Sequence, residues 1–336
     1  MTASGMKGEN MSSFLFAVNA VIPIILMVIL GYVLKKTGMM SREFASSANK
    51  LVFHVFLPVM LFSNVYKISA PGDLDLRYIL YTLVAVVIVF LVALPLVCRV
   101  TKKKERRGVL LQSAFRSNFA HIGIPLAMSM FGDEGVATAS LLSAALIPLF
   151  NVLAVLSLSL FRPGGEKVKI GAIGKSIVKN PLIQGVFFGI VFLLLREGLG
   201  AKGISFDLMK IDVIAKPVTY LSGVATPMAL ISLGAEFEIS AAGKMKKEIL
   251  FGVLFRTVIV PFAAIGTAIL LGIFNGAHFA SFIGAFATPV AIASVPMAQE
   301  MDGDSALAGQ LVVWTTVVSA VTVFFFTFLL KAIGIF

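Results

Sequence analysis

Phe115-Arg-Ser-Asn-Phe-Ala-His-Ile-Gly-Ile-Pro125 and Phe286-Ala-Thr-Pro-Val-Ala-Ile-Ala-Ser-Val-Pro296 read as two copies of one pattern, 171 positions apart. The match runs on through Gly132-Asp133 and Gly303-Asp304. Of the nineteen paired positions seven are identical: Phe115, Ala120, Pro125, Ala127, Met130, Gly132 and Asp133 with their partners. Shared apolar composition produces some matches of this kind, so a second pairing matters. At an offset of 169, Pro58-Val-Met-Leu61-Phe-Ser63 falls on Pro227-Met-Ala-Leu230-Ile-Ser232. Two matches in the same order at nearly the same spacing point to a duplicated chain.

What surrounds these stretches decides the solvent. Of 336 residues 58% are hydrophobic and 13% charged, with a mean hydropathy of +0.98. A soluble domain of this length would need a charged shell. Here apolar runs of roughly 20 residues, each able to cross about 30 Å of hydrocarbon, follow one another. The expectation is an all-α integral membrane protein with ten transmembrane spans, near 13–35, 44–66, 78–99, 107–131, 135–161, 180–197, 214–235, 248–274, 277–300 and 305–333. The polar start, Met1 to Ser12, precedes an apolar run too long for a signal peptide and without a small-residue cleavage site, so the first run is expected to remain as a helix.

Charge orients the spans. Eighteen Lys and Arg fall in the connections after spans one, three, five and seven, including six from Arg99 to Arg107, and eight fall on the other side. The positive-inside rule then places both termini outside a multi-pass cell-membrane protein. The net charge of +11 is this topology signal, and nucleic acid is not an expected partner. The single cysteine, Cys98, ends an apolar run and gives neither a disulfide framework nor a Cys-based metal site.

The longest polar connection divides the chain into a first five-helix repeat, 1–161, a short basic cytoplasmic linker, 162–179, and a second five-helix repeat, 180–336. Within the linker Gly171-Ala-Ile-Gly174-Lys175-Ser176 imitates a phosphate loop, but the required first glycine falls on Lys169 and no strand precedes it, so nucleotide hydrolysis is excluded there. Because five is odd, the second repeat enters the bilayer from the opposite side. The result is a 5+5 inverted repeat, an architecture of alternating-access carriers.

Prolines then point to the chemistry. Pro125 in span four, with Gly123 beside it, and Pro289 and Pro296 in span nine are expected to break those helices in mid-membrane. Unpaired backbone groups at that depth are tolerated only where they face protein, a cavity or a ligand. Half-helix N-termini with free N–H donors favour a carboxylate or similar anion. Ser117, Asn118 and His121 precede the first break, and Thr288 and Ser294 flank the second. Asn118 is the central candidate, against the alternative of an interhelical hydrogen bond. Arg116 is placed to attract the anion or to snorkel to the interface. His121 could exchange protons with the substrate pathway, whereas His54 is expected to bond a backbone carbonyl. Arg256 reads as structural or interfacial. Pro58 and Pro227 either shape a cavity wall or curve the bundle, Glu300, Asp302 and Asp304 read as a solvated turn rather than a gate, and the Phe-rich Val323–Leu330 faces lipid or packs on span five.

These residues resemble the auxin efflux carrier family, which includes plant auxin carriers and bacterial members associated with malate, malonate and related carboxylates. Asn118-Phe-Ala-His-Ile-Gly-Ile-Pro125 is similar to that family's N-x-x-x-x-G-I-P crossover motif, and the resemblance implies that Asn118 lies in the substrate site. It also implies ten helices in an inverted repeat, outside termini, and spans four and nine crossing at their breaks. At the start of span six the plant carriers have N-P-N-T-Y. Here Asn180-Pro-Leu-Ile-Gln184 keeps only the first two residues, which with the short linker favours a bacterial-type carboxylate carrier over an auxin carrier. The expectation is a secondary active transporter, not an enzyme, with no cofactor and no metal. Its partners are a small organic anion and the lipid bilayer, with proton or sodium coupling and assembly as a homodimer left open. The competing readings are a cation-coupled symporter or antiporter of related crossed-helix fold and a membrane sensor that does not transport.

Overall fold

The computed structural model of the chain describes residues 22–67, 76–163, 178–238 and 242–335. The polar N-terminal segment and nearly all of the 162–179 linker lie outside the described residues. The regular secondary structure of the described residues is all helix, with one isolated β-bridge between Ser117 and Val290. In chain order the helices are α1 (22–36), α2 (Arg42–Tyr66), α3 (Leu76–Val100), α4 (Lys104–Phe115), α5 (Phe119–Leu160), α6 (Pro181–Gly200), α7 (Asp212–Glu236), α8 (Lys246–Leu271), α9 (Gly276–Ala287), α10 (Ser294–Glu300) and α11 (Ser305–Ala332).

Seven of these, α2, α3, α5, α6, α7, α8 and α11, are long and apolar enough to cross a membrane. The difference from the ten expected spans has identifiable causes. α1 begins at the edge of the described residues. The fourth expected span is split between α4 and the start of α5, and α5 runs on into the fifth through a kink at Gly132, whose φ of 55° only glycine adopts at little cost. The ninth is split between α9 and α10, each too short to cross alone.

The prolines act differently from the expectation. Pro125 does not break its span. It lies in the first turn of the α-helical part of α5, two residues after a π-turn over Phe119–Gly123. The same spacing recurs at Pro58 after Val52–Phe56 and at Pro261 after Phe255–Ile259. Proline has no N–H to give the carbonyl four residues back, and its ring crowds that carbonyl. The residue before each proline bonds five residues back instead: Leu57 to Val52, Ile124 to Phe119, Val260 to Phe255. The helix is widened, not interrupted. The interruptions fall at Arg116–Asn118 and at residues 288–293. Pro289 lies inside the second, and Pro296 lies in the first turn of α10.

Packing sorts the helices into two sets. In one, α2 packs on α6 and α7, and α1 meets α7 where Gly31 lies against the Ile231 carbonyl and Gly234 against the Val28 carbonyl. Small residues of this kind let helix backbones approach in a lipid environment. Gly185 of α6 sits against Pro58 of α2 in the same way. The other set holds α3, α4, α5, α8, α9, α10 and α11: α4 and α9 pack on α5, and α11 on α8 and α10. Phe326 of α11 is buried against Phe262 of α8, ring centroids 4.9 Å apart, while Phe325 and Phe328 are exposed, so one face of the Phe-rich stretch packs on α8 and the other points outward, as the lipid-facing reading expected.

Candidate functional site at the crossing of two interrupted spans

The two interruptions lie against each other and satisfy part of each other's backbone. The Asn118 N–H donates to the Pro289 carbonyl at 2.8 Å, and the Ala291 N–H donates to the Arg116 carbonyl at 3.2 Å. Ser117 and Val290 form the antiparallel bridge between these bonds. Just beyond it Gly123 of α5 and Gly284 of α9 come so close that a Cβ on Gly284 would stand 2.7 Å from the Gly123 Cα. Only glycine allows that approach from both sides.

A cavity opens at this crossing, between the two helix sets. One wall is the interruption itself, with Arg116, Ser117, Asn118 and His121 on one strand and Ala291–Ala293 on the other. The facing wall is α2, through Met60 and Asn64, and α7, through Thr226 and its alanine neighbours. Phe150 and Asn151 of α5 close the floor. The lining is mostly apolar with a few convergent polar groups, the usual composition of a small-molecule site.

Several of those polar groups are buried without a hydrogen-bond partner among the described residues. They include Asn118 Nδ2 and Ser117 Oγ on the lining and Ser294 Oγ just behind it. Buried polar atoms are normally paired, so Asn118 Nδ2 and Ser117 Oγ are donors available to whatever enters. Arg116 is 4% exposed. Its guanidinium donates at 2.9 Å to Asn151 Oδ1 and contacts Met297 Sδ at 2.9 Å, and no carboxylate is among those contacts. His121 exposes its ring on the cavity side, with Nε2 2.8 Å from Thr226 Oγ1, so it links the crossing to α7.

The remaining expected residues are distributed around this centre. Gly123 makes the close approach. Pro125 sets the π-turn that carries Phe119–Gly123. The Pro289 carbonyl accepts from Asn118. Thr288 is fully buried, its hydroxyl donating to the Gly284 carbonyl at 2.6 Å. The Ser294 carbonyl accepts from Gln112 at 3.3 Å, and Pro296 is buried in α10. None of these six lines the cavity. Neither does Asn180, which caps α6 by accepting from the Leu182 N–H at 2.9 Å.

Three contributions were not foreseen from sequence. Asn64 and Asn151 line the cavity, and intramembrane asparagines were a signal that could have found them. Arg256 is the third. It is completely buried in the π-turn of α8 and, among the described residues, donates only to backbone: to Ala285 at 2.8 Å, Thr288 at 3.1 Å, Phe115 at 3.3 Å and Ala114 at 3.5 Å. It is therefore structural, as read from sequence, but it sits at the crossing. His54 bonds the Lys50 carbonyl at 3.0 Å, as expected. Asp304 departs from the solvated-turn reading: it caps α11 through the Leu307 N–H and pairs with Arg106 at 2.9 Å. Asp302 pairs with Arg162 at 2.7 Å but keeps about half of its side chain exposed.

Residues 16–327 match the family described as membrane transport protein. The chain is 25% identical over 325 residues to an uncharacterized transporter of Methanothermobacter thermautotrophicus, covering 92% of this chain and 97% of that protein. It is 26% identical over 266 residues to an uncharacterized transporter of Methanocaldococcus jannaschii, covering 76% and 80%.

Proposed function

Because this chain belongs to the membrane transport protein family, the auxin efflux carrier family its crossover motif resembles, we propose that it is a secondary active transporter of a small organic anion, a carboxylate such as malate, malonate or an auxin-like acid. The anion is held at the crossing and released by alternating access, in a carrier working as an exporter. The observation that carries this reading is the donor set of the cavity. Asn118 Nδ2 and Ser117 Oγ are buried and unpartnered, and the guanidinium of Arg116 stands beside them without a carboxylate among its contacts. A carboxylate supplies the acceptor oxygens those groups lack, with charge-assisted bonds that are the strong ones in a low-dielectric site. A cation would want carboxylates on the lining, and among the described residues the cavity presents none.

Under this reading the helices form ten spans in a 5+5 inverted repeat with both termini outside. Two features support it. Asn118 and Pro289, paired by the repeat at 171 positions, also face each other in the antiparallel contact, next to its Ser117–Val290 bridge, as residues on a pseudo-two-fold axis do. Polar contacts also sort by end. Arg106 pairs with Glu248 and Asp304, Arg162 with Asp302, and Asn49 and Ser46 of α2 bond Gln299 of α10, all at ends that a ten-span topology assigns to the basic, cytoplasmic side. Tyr66 bonds Asp207, and Tyr78 bonds the Thr138 carbonyl, at ends it assigns to the other side. The cavity lies between the two helix sets, so a displacement of one set against the other opens it to either side in turn. His121, bridging to Thr226, is the titratable group placed to couple that displacement to protons.

The test is a thermal-stability screen of the purified protein against malate, malonate, indole-3-acetate and cationic controls, with uptake into sealed vesicles for any acid that binds. A ligand that binds the native state raises its stability in proportion to occupancy. One carboxylate is expected to raise the melting temperature of wild type and not of Asn118→Ala. Stabilisation by cations alone, or an unchanged anion response in the variant, would overturn the assignment.

A further inference from the structure

Arg256 is the largest fully buried side chain among the described residues. A buried guanidinium is expensive unless its donors are satisfied. Every acceptor it finds among the described residues is a main-chain carbonyl, and those carbonyls come from both interrupted spans. Ala114 and Phe115 end α4, Ala285 is in the last turn of α9, and Thr288 opens the second interruption. The last carbonyls of a helix have no partner within it and carry the negative end of its dipole. Two such ends converge here, and one planar cation with its donors in a fixed fork meets both. The π-turn that Pro261 imposes puts Arg256 in that widened turn. The anion chemistry of the cavity makes no use of this side chain: Arg256 does not line it.

We infer that Arg256 is the positioning residue of the crossing: it fastens the C-terminal ends of the two first half-helices to each other, neutralises their negative ends, and so holds Ser117 and Asn118 in the geometry in which their donors face the cavity. Without that cation two sets of carbonyls would repel each other beside the bridge, and their field would oppose an anion at Asn118. This inference deepens the reading of the crossing as the substrate site and rests on it for the second half of the test.

The first half needs no ligand. The bonds flanking Ser117 and Val290 make them a non-hydrogen-bonded antiparallel pair, whose Cα atoms stand about 4.5 Å apart, inside the range a disulfide spans. In a Cys98→Ser background, Ser117→Cys with Val290→Cys is expected to cross-link rapidly under mild oxidation in native membranes. Adding Arg256→Met should slow that cross-link by about tenfold or more, the loss of a charge-assisted hydrogen bond. Arg256→Lys keeps the charge but not the fork and should fall between. If Arg256→Met does not fold, Arg256→Lys alone carries the comparison. Cross-linking at the parental rate in Arg256→Lys and in any folded Arg256→Met protein overturns the inference.

The second half titrates malate and malonate against melting temperature in Arg256→Lys with residues 117 and 290 restored. A weaker response than wild type, with the unliganded melting temperature within a few degrees, is expected. A slowed cross-link combined with an Asn118→Ala protein that still responds to the anion would leave Arg256 as the fastener and remove the substrate site from the crossing.

Discussion

The two interruptions are alike in backbone and unlike in side chain. At the first, Arg116, Ser117, Asn118 and His121 bring charge and hydrogen-bond donors to the cavity. At the second, Ala291, Ile292 and Ala293 give it a smooth apolar wall, and Pro289 offers no donor, only a carbonyl that fixes Asn118. The bend occurs twice, the polar side chains only once. On the proposed reading of an inverted repeat, the comparison teaches that one copy can be given binding and the other shape, with close packing required of both.

That division can be broken experimentally, most severely at Asn118. Replacing it with alanine removes an unpartnered buried donor, so unliganded stability is expected to hold while carboxylate affinity falls about tenfold to a hundredfold, the range for a hydrogen bond to a charged group. Equilibrium binding of the screened acid measures this, and an unchanged affinity would mean the first interruption is not the chemical one. Next in size is Gly284→Ala. The new Cβ meets the Gly123 Cα at 2.7 Å, and forcing the crossing apart is expected to cost about 1–3 kcal/mol of stability, as overpacking does. Gly266→Ala, with nothing within 4 Å, is the control and should not destabilise; equal melting temperatures for the two would show that the crossing is looser than its backbone geometry.

Asn180→Ala separates support from binding. It removes an N-cap and should cost about 1 kcal/mol in a denaturation measurement, with no change in carboxylate affinity; a change in affinity would return Asn180 to the site. The finest test sets the two copies directly against each other. Ser117 and Ser294 both have buried, unpartnered hydroxyls, but only Ser117 lines the cavity. Ser117→Ala is expected to weaken binding by about tenfold, the low end for a hydrogen bond to a charged group. Ser294→Ala should leave it unchanged, and equal losses would mean that the second copy binds as well.

Much of this was legible from sequence, for reasons particular residues make plain. Apolar run length located most of the helices, and the duplicated stretch contains both interruptions, the first of them seven to nine residues before Pro125 rather than at it. Asn118 stood out because a polar side chain beside a bend at membrane depth has few other uses. The prolines misled because a missing N–H has two remedies, a break or a π-turn, and sequence does not choose between them. Pro125, Pro58 and Pro261 took the second. Arg256 was read correctly as structural and still underestimated, because its acceptors are carbonyls. Any residue has a carbonyl, so no pattern of side chains could reveal that the ends of α4 and α9 converge on it. Asn151 had a signal of its own, an asparagine at membrane depth, but its link to the site did not: its partner Arg116 lies 35 positions away, a distance no helical periodicity registers.

The π-turn over Phe119–Gly123 also fixes something subtler than a bend. Such a turn holds one residue more than an ordinary helical turn, so it sets the angular phase between Asn118 and everything that follows in α5. Deleting a single residue there would let the chain wind regularly, with no loss of length that matters for crossing a bilayer. It would also turn Asn118 about 100° around the helix axis, away from Asn64 and Thr226. Length can therefore drift in the loops of this protein, but in those five residues the count itself is part of the candidate site.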